Sequence, residues 1–398
     1  LQWGFPVRAQ YNRDMSVLPV DIYSVASVRA IDRSAIDEEG IPGYTLMTRA
    51  GSAAVSEARA RFPDAKRWQV VCGAGNNAGD GYVVARLAAR VGISLSVTTL
   101  VDPRSLKGDA ATAYAEFAAE GGVVTKWTGQ LDPEAELVVD GLLGSGLERD
   151  VQGDFALAVA AINSHAGKVM ALDIPTGIHG DTGRIMGFAV RSDLTVTFVG
   201  LKTGLYLGDG PDYRGEIVFA DLGVPAKCRQ RQEPGFRRID DDLLGRTLAP
   251  RRRSAHKGDF GHVLIVGGGP GMPGAVRLCG EAALRAGAGL VSIATHPEHA
   301  SMIVGSRPEL MSHAIVSASD IEPLLDRADV IAFGPGLGRS DWAAGLFERL
   351  AEDGRPSVWD ADALNWLARS PTKLDSRIIT PHPGEAARLL ESTTDTIQ

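Results

Sequence analysis

The sequence has 398 residues, and at roughly 100–200 residues per domain this predicts two or three domains, each able to bury a core. Lys and Arg number 41 against 49 Asp and Glu, a net charge of −8. An acidic chain of this kind is a poor candidate for wrapping nucleic acid or coating an anionic membrane. No apolar run reaches the ~18 residues of a transmembrane helix. The three cysteines (Cys72, Cys228 and Cys279) lie far apart with no Cys-x-x-Cys pair, so neither a zinc site nor a disulfide framework is expected. A reducing, cytoplasmic location is expected.

Residues 1–14 are mixed and polar, without a secretory leader, and read as an upstream extension before Met15. Val25, Val28, Ile31 and Ile36 then form a helical stripe over Ser24–Glu38, and a second helix is expected at Leu46–Arg61. Strands are expected at Trp68–Cys72, Ser94–Val101, Leu137–Val139, Val169–Asp173, Leu194–Val199 and Glu216–Ala220. Helices are expected at Tyr82–Val91, Asp109–Glu120 and Phe155–Asn163. Such alternation predicts a parallel sheet with helices on both faces. The charged, turn-rich stretch around 227–253 reads as a linker. Its Arg251–Arg253 triplet suits a solvated surface run or a phosphate contact. A second α/β pattern follows. Its strands are expected at His262–Gly267, Leu290–Ala294, Val330–Phe333, Ser357–Asp360 and Arg377–Ile379. Its helices are expected at Ala275–Ala286, Trp342–Glu352, Ala363–Leu367 and Gly384–Leu390.

Residues 73–81, Gly-Ala-Gly-Asn-Asn-Ala-Gly-Asp-Gly, lie between a strand and a helix. Backbone N–H groups there suit a phosphate, and the Asn and Asp oxygens suit a cation or hydroxyls. The spacing is not that of the dinucleotide fingerprint, and a generic glycine turn stays open. Two further strands end in a carboxylate followed by glycine turns. One is Asp140 before residues 141–147, and the other is Asp173 before Ile174-Pro175-Thr176-Gly177. Together these clusters point to ligand binding at the carboxyl edge of a parallel sheet.

With these three loops in order, and Ile41-Pro42-Gly43 leading into Leu46-Met47 and Arg49-Ala50-Gly51, residues 24–222 resemble the NAD(P)H-hydrate epimerase family. The resemblance implies interconversion of the R and S hydrates of NADH and NADPH. It implies a potassium site from Asn77, Asp140 and Thr176, all hard oxygen donors. Substrate contacts are implied at Asn76, Asn77, Ala78, Gly79 and Asp80, at Gly144, Ser145, Gly146, Leu147, Glu148, Arg149 and Asp150, and at Asp173. Asp173 is the expected proton-transferring carboxylate. Lys202 falls where the family carries a lysine near the same site, although a surface lysine after a strand reads equally well.

The second half carries Ala255-His256-Lys257-Gly258-Asp259-Phe260-Gly261, the glycines of 267–274, and Gly334-Pro335-Gly336-Leu337-Gly338. Asp360-Ala361-Asp362-Ala363-Leu364-Asn365 and Thr380-Pro381-His382-Pro383-Gly384-Glu385 follow. This series resembles the ADP-dependent NAD(P)H-hydrate dehydratase family, which has a ribokinase-like fold. The resemblance implies Ala275, Gly338 and His382 on the hydrated nucleotide, and ADP or ATP with magnesium as the nucleotide. That family continues with a Lys-Gly-x-x-Thr loop and a later Gly-Asp, neither of which occurs before Gln398.

The expectation is therefore an α/β chain. A three-layer α/β/α Rossmann-like N-terminal domain (15–228) is followed by a linker (229–250) and an incomplete ribokinase-like α/β domain (251–398), the last being inactive as a dehydratase. Self-association is expected from the family. The rivals are a complete bifunctional enzyme and a non-catalytic binding or dimerisation module on the same fold.

Overall fold

Short strands and amphipathic helices alternate along the chain, and each strand of the two main sheets pairs in parallel with its neighbours. The computed structural model describes residues 18–392 apart from 249, 304 and 306. The expected extension 1–14, the segment start at Met15 and the terminal residues 393–398 lie outside the described residues. The chain divides into two units, Leu1–Thr247 and Leu248–Gln398.

The first unit runs β1 (Asp21–Tyr23), α1 (Val25–Asp37), α2 (Gly43–Arg61), β2 (Arg67–Cys72), α3 (Asn76–Arg90), β3 (Ser94–Thr99), α4 (Gly108–Ala119), β4 (Thr125–Lys126) and β5 (Leu137–Gly141). It continues with α5 (Asp154–Ser164), β6 (Lys168–Leu172), β7 (Leu194–Phe198), β8 (Leu201–Lys202), α6 (Gly210–Tyr213), β9 (Glu216–Ala220), α7 (Ala226–Gln230), β10 (Phe236–Arg237) and α8 (Asp241–Thr247). Seven strands form a parallel sheet in the order β4-β3-β2-β5-β6-β7-β9. Alternation of side chains builds its two cores. Val70 and Val139 pack with Ala54, Val83 and Ala113 from α2, α3 and α4. Their neighbours Val71 and Val138 pack with Ala158, Val159 and Ile162 of α5. The result is the three-layer architecture.

From β2 the chain moves outward to β3 and β4, then returns to build β5, β6, β7 and β9 on the other side. The order thus reverses between β2 and β5, and the crevice at such a reversal is where open α/β sheets bind ligands. The loops are tied together there: Gly73 N–H donates to Gly141 O at 3.1 Å and Ala74 N–H to Leu142 O at 3.3 Å.

Two expectations are corrected. Residues 73–81 are not a long turn before a helix at Tyr82, because α3 begins at Asn76. The turn is only Gly73–Gly75, with Gly75 at φ +74°. Gly79 and Gly81 are instead packing positions. A Cβ on Gly79 would stand 2.7 Å from Met47 Cε and 2.9 Å from Ala110 Cα, and one on Gly81 would stand 2.9 Å from Cys72 Sγ. Likewise, much of the 229–250 stretch is no linker. β10 pairs antiparallel with β1, Asp21 opposite Arg237. Arg238 donates to Leu18 O at 2.9 Å, and Arg231 reaches Ser34 Oγ at 3.0 Å and the Glu38 carboxylate. Arg229, Arg231, Arg237 and Arg238, read as linker charge, have partners on the first unit. β1 in turn pairs in parallel with β8, Tyr23 opposite Lys202, giving a side sheet β10-β1-β8. Its strands have two or three residues each, too few to show a period.

The second unit contains β11 (His262–Val266), α9 (Pro273–Ala286), β12 (Leu290–Thr295), α10 (Ala300–Ile303), β13 (Met311–Ala314), α11 (Glu322–Leu325) and β14 (Val330–Phe333). It goes on to α12 (Asp341–Leu350), β15 (Ser357–Trp359), α13 (Asp362–Arg369), β16 (Arg377–Ile379) and α14 (Pro383–Leu389). Its parallel sheet has the order β13-β12-β11-β14-β15-β16 and reverses between β11 and β14. Phe333 and Trp359 meet edge-on at 4.9 Å in its core. Among the described residues, no helix is long and apolar enough to cross a membrane.

The packing at Gly79 gives a test of sign. Gly→Ala inside a helix ordinarily gains about 1 kcal/mol. Here the new methyl meets backbone at Ala110, and overpacking of that kind costs roughly 1–3 kcal/mol. Gly79→Ala is expected to lower the stability of the first unit in urea unfolding, and a stabilised variant would refute the close-packing account.

Candidate active site

A cleft of about 860 Å³ opens at the reversal of the first sheet. It is walled by α1 and α2, by the start of α3, by the loop after β5 and by the ends of β6 and β7. The first N–H groups of α3 lack intrahelical partners, as at any helix N-terminus, and Asn76, Asn77 and Asp80 line the cleft beside them. Residues 144–149 form the facing lip, where Arg149 brings positive charge. Arg29 of α1 also lines the cleft, and its guanidinium lies over Gly146, 2.7 Å from where a Cβ would stand. Two guanidiniums and a helix N-terminus suit a phosphorylated ligand.

Asp173 follows β6 with φ +70°, a left-handed conformation that costs a non-glycine residue energy. The bend brings its carboxylate under the cleft, where it accepts from Phe198 N–H at 3.3 Å and from the Lys202 ammonium. Lys202, equally open in the sequence as a surface lysine, is 1% exposed. Its remaining donors go to Thr197 Oγ1 at 3.1 Å and Phe198 O at 2.7 Å. Two more cleft residues, Val199 and Leu222, also have positive φ, at +67° and +53°. A β-branched residue such as Val199 rarely adopts this conformation, so strain is concentrated around this pocket.

Asp32 of α1 and Asp80 of α3 face the same space. Burial pushes the Asp32 carboxyl up to about 6, with Lys202 opposing and Asp173 reinforcing the shift. Burial, then the charges of Asp173 and Asp32, hold Asp80 well above the usual carboxylate range. Burial and mutual repulsion thus favour the protonated forms of Asp32 and Asp80 in the cleft that holds the Asp173–Lys202 pair. Asp32 escapes a reading by motif, since it stands in an ordinary helix. The available signal was a carboxylate within the apolar stripe of Val25, Val28, Ile31 and Ala35, all buried.

Beneath the lip lies an oxygen-rich pocket. Asp140 is fully buried and accepts from Thr176 N–H at 2.8 Å, Thr176 Oγ1 at 2.7 Å and Leu142 N–H at 3.2 Å. Burial pushes its carboxyl up to about 6 against those three bonds, with no cationic side chain contributing. Asn77 is 6% exposed, and neither polar atom of its side chain has a partner among the described residues. Its Oδ1 lies 3.7 Å from where a Cβ on Gly144 would stand. The orphaned Asn77 amide oxygen, the buried Asp140 carboxylate and the Thr176 hydroxyl are hard oxygen donors of the kind that suits a monovalent cation.

Not every expected residue reaches the cleft. Ala78 is fully buried in α3, and Gly79 packs against Met47 and Ala110. Helical periodicity turns both away from the lining positions 76, 77 and 80. Asp150 lies just past the lip and is exposed, outside the lining. In the second unit, the loops after β11 and β14 are tied by Gly268 N–H to Pro335 O at 3.0 Å and Gly269 N–H to Gly336 O at 2.7 Å. Ala275 adjoins this junction, its Cβ 3.1 Å from where one on Gly336 would stand. Gly338 has φ +78° and donates its N–H to Asp362 Oδ2 at 2.9 Å. His382 stands apart at the end of β16. Its side chain is 63% exposed and caps α14, with Nδ1 accepting from Gly384 N–H at 3.1 Å and Nε2 3.2 Å from Glu385 Oε1. The flanking prolines fix a helix start there.

Comparison with known proteins accounts for both halves. Residues 43–204 match the family described as YjeF-related protein N-terminus, and residues 263–397 match the NAD(P)H-hydrate dehydratase family. The chain is 44% identical to a bifunctional NAD(P)H-hydrate repair enzyme of Coxiella burnetii, over 95% of this chain and 77% of the relative. It is 41% identical to that of Escherichia coli, over 94% and 72%. An ADP/ATP-dependent NAD(P)H-hydrate dehydratase structure from Bacillus subtilis is 29% identical with a TM-score of 0.35, covering 40% of this chain and 57% of that one. The dehydratase family match runs to residue 397, and so lends no support to the expected incompleteness and inactivity of the second half. With an epimerase-type half around the Asp173 cleft and a dehydratase-type half after it, the chain belongs to the family of bifunctional NAD(P)H-hydrate repair enzymes.

Proposed function

We propose that the first half interconverts the R and S epimers of hydrated NADH and NADPH, with Asp173 moving a proton at the hydrated carbon and Lys202 holding Asp173 in place. The observation that carries this reading is the Asp173–Lys202 pair, which sets a strained carboxylate against a buried ammonium at the floor of a cleft of nucleotide size. A carboxylate so fixed is a positioned acid–base group. Asn76, Asn77, Asp80 and residues 144–149 line the binding surface, and the α3 N-terminus with Arg29 and Arg149 favours the substrate's phosphates. On this reading the epimerase half includes β10 and extends past residue 228.

Potassium is the cation we assign to Asn77, Asp140 and Thr176, where it supplies a fixed positive charge under the β5 lip. The second half is of the type that dehydrates the S epimer at the expense of ADP, with magnesium accompanying the nucleotide. Ala275 and Gly338 stand at its sheet reversal.

The deciding experiment is chromatography of one purified epimer of hydrated NADH incubated with the protein and potassium, with and without ADP or ATP. Mixing of the epimers faster than in a protein-free control supports the epimerase. Recovery of NADH only with nucleotide assigns dehydration to this chain as well. No acceleration of either process favours a non-catalytic binding module.

Asp173→Asn is expected to slow epimerisation by about 10²–10⁴-fold. The variant should fold by circular dichroism but melt lower, because Lys202 loses its charged partner. Full activity would remove Asp173 from the chemistry.

The cation site predicts a pH-dependent response. The folded-state carboxyl of Asp140 lies at about 6, above the ordinary aspartate value of 3.8. Its burial therefore costs nothing below about 3.8, where both states are protonated, destabilises increasingly as pH rises from there to about 6 while only the unfolded carboxyl is ionised, and levels off above. Potassium, binding the carboxylate, should raise Tm at pH ~8 by on the order of 5 °C over choline at equal ionic strength, and scarcely at pH ~5. Equal melting in the two salts at the higher pH would refute the site.

A further inference from the structure

We propose that Asp32, on α1, is a second catalytic residue of the cleft, giving its proton to the departing hydroxyl of the hydrated nicotinamide ring while Asp173 takes the proton of the incoming water. This rests on the epimerase reading above.

The placement comes from α1. Its N-terminus is held by Val25 N–H donating to Asp181 Oδ1 at 2.7 Å. From there Val28, Arg29, Asp32 and Ile36 face the cleft at helical spacing. The charged groups that line the cleft with Asp32 are Arg29 on its own helix, Asp80 from α3, Asp109 from α4, Glu148 and Arg149 of the lip, Asp173 after β6 and Lys202 on β8. The unpartnered Asn77 side chain, itself buried, lines the same space.

The hydrogen bonds divide the carboxyls into two kinds. Lys202 spends its three donors on Asp173, Thr197 and Phe198. Asp173 is thus tied to a cation and serves as the acceptor. Asp32 has no hydrogen-bonded partner among the described residues, and its burial favours the neutral acid. Asp80 is likewise pushed up, by burial and by the charges of Asp173 and Asp32. A carboxyl paired with an ammonium and a second carboxyl without a hydrogen-bonded partner, in one cleft, suit proton transfer in both directions.

The chemistry balances. The hydrated carbon is a hemiaminal carbon, bonded to a hydroxyl and to the ring nitrogen. Asp32 protonates the hydroxyl. The C–O bond breaks and its electron pair leaves with water, while the nitrogen lone pair forms a C=N bond. A water then adds to the opposite face, the C=N pair returns to nitrogen, and Asp173 takes the released proton. Transfer of that proton through solvent from Asp173 to Asp32 resets the site, and the reverse inversion uses the two carboxyls in exchanged roles.

The test follows inversion of one purified epimer in ¹⁸O-labelled water, with mass analysis of the product, for the wild-type chain, D32N and D32E. The wild type is expected to take up one solvent oxygen per inversion. Its enzymatic rate should fall as pH rises through about 6, where Asp32 loses its proton. D32N is expected to lose about 10²–10⁴-fold in rate and that pH limb, while binding the hydrate and melting as the wild type does. D32E should recover part of the rate. If D32N does not fold, D32S carries the same comparison. Wild-type rate and an unchanged limb in D32N would overturn the proposal, as would inversion with the original oxygen retained. A wild type that inverts neither epimer would instead remove the epimerase reading, and the role of Asp32 with it.

Discussion

The first unit is organised around one buried ion pair. Lys202 is 1% exposed and can be tolerated there only because Asp173, Thr197 and Phe198 take all three of its donors. Each of those partners depends on a different constraint. Asp173 reaches the ammonium by adopting a positive φ after β6, and Phe198 and Thr197 end β7. Lys202 itself lies on β8, whose register against β1 places it opposite Tyr23. The side sheet β10-β1-β8 therefore has a chemical consequence, because it carries the cation of the site.

The reversal of the main sheet supplies the space around that pair. Helix α3 comes close to α2 and α4 because Gly79 has no side chain to hold it away, and it seats on β2 because Gly81 has none either. The same segment thus does two things. Asn76, Asn77 and Asp80 face the cleft, and Ala78, Gly79 and Gly81 seat the helix. A run of glycines that resembles a flexible turn is a rigid helix start, in which backbone proximity matters more than backbone freedom.

Electrostatics then separates the carboxyls by environment. Asp140 is satisfied by backbone and hydroxyl donors, with no cationic side chain contributing. Asp173 has the Lys202 ammonium, while Asp32 and Asp80 have burial and the charges of their carboxylate neighbours. One residue type thus stands in three different electrostatic environments within one unit. The second unit repeats the sheet reversal with a different loop pairing, and its glycines let the loops after β11 and β14 bond backbone to backbone.

The sequence by itself determined the alternating α/β order, the two halves and the three strand-end clusters. Periodicity and glycine after a strand are local properties that survive without knowledge of the fold. Residues 76, 77, 80, 144–149 and 173, which line the cleft, were legible for that reason, each lying in or next to a strand-end motif. Only the tertiary structure decided the rest. It buried Lys202, whose sequence context fits a surface lysine equally well, through a two-residue strand that no period can announce. It drew the arginines around 229–238 out of an expected linker and onto the first unit, because their partners Asp21, Ser34 and Glu38 lie about two hundred residues earlier. It turned His382 into a helix cap, Ala78 and Gly79 into packing surface and Asp32 into a cleft residue. In each case the deciding quantity is which distant atoms lie within a few ångströms, and neighbours along the chain carry no record of that.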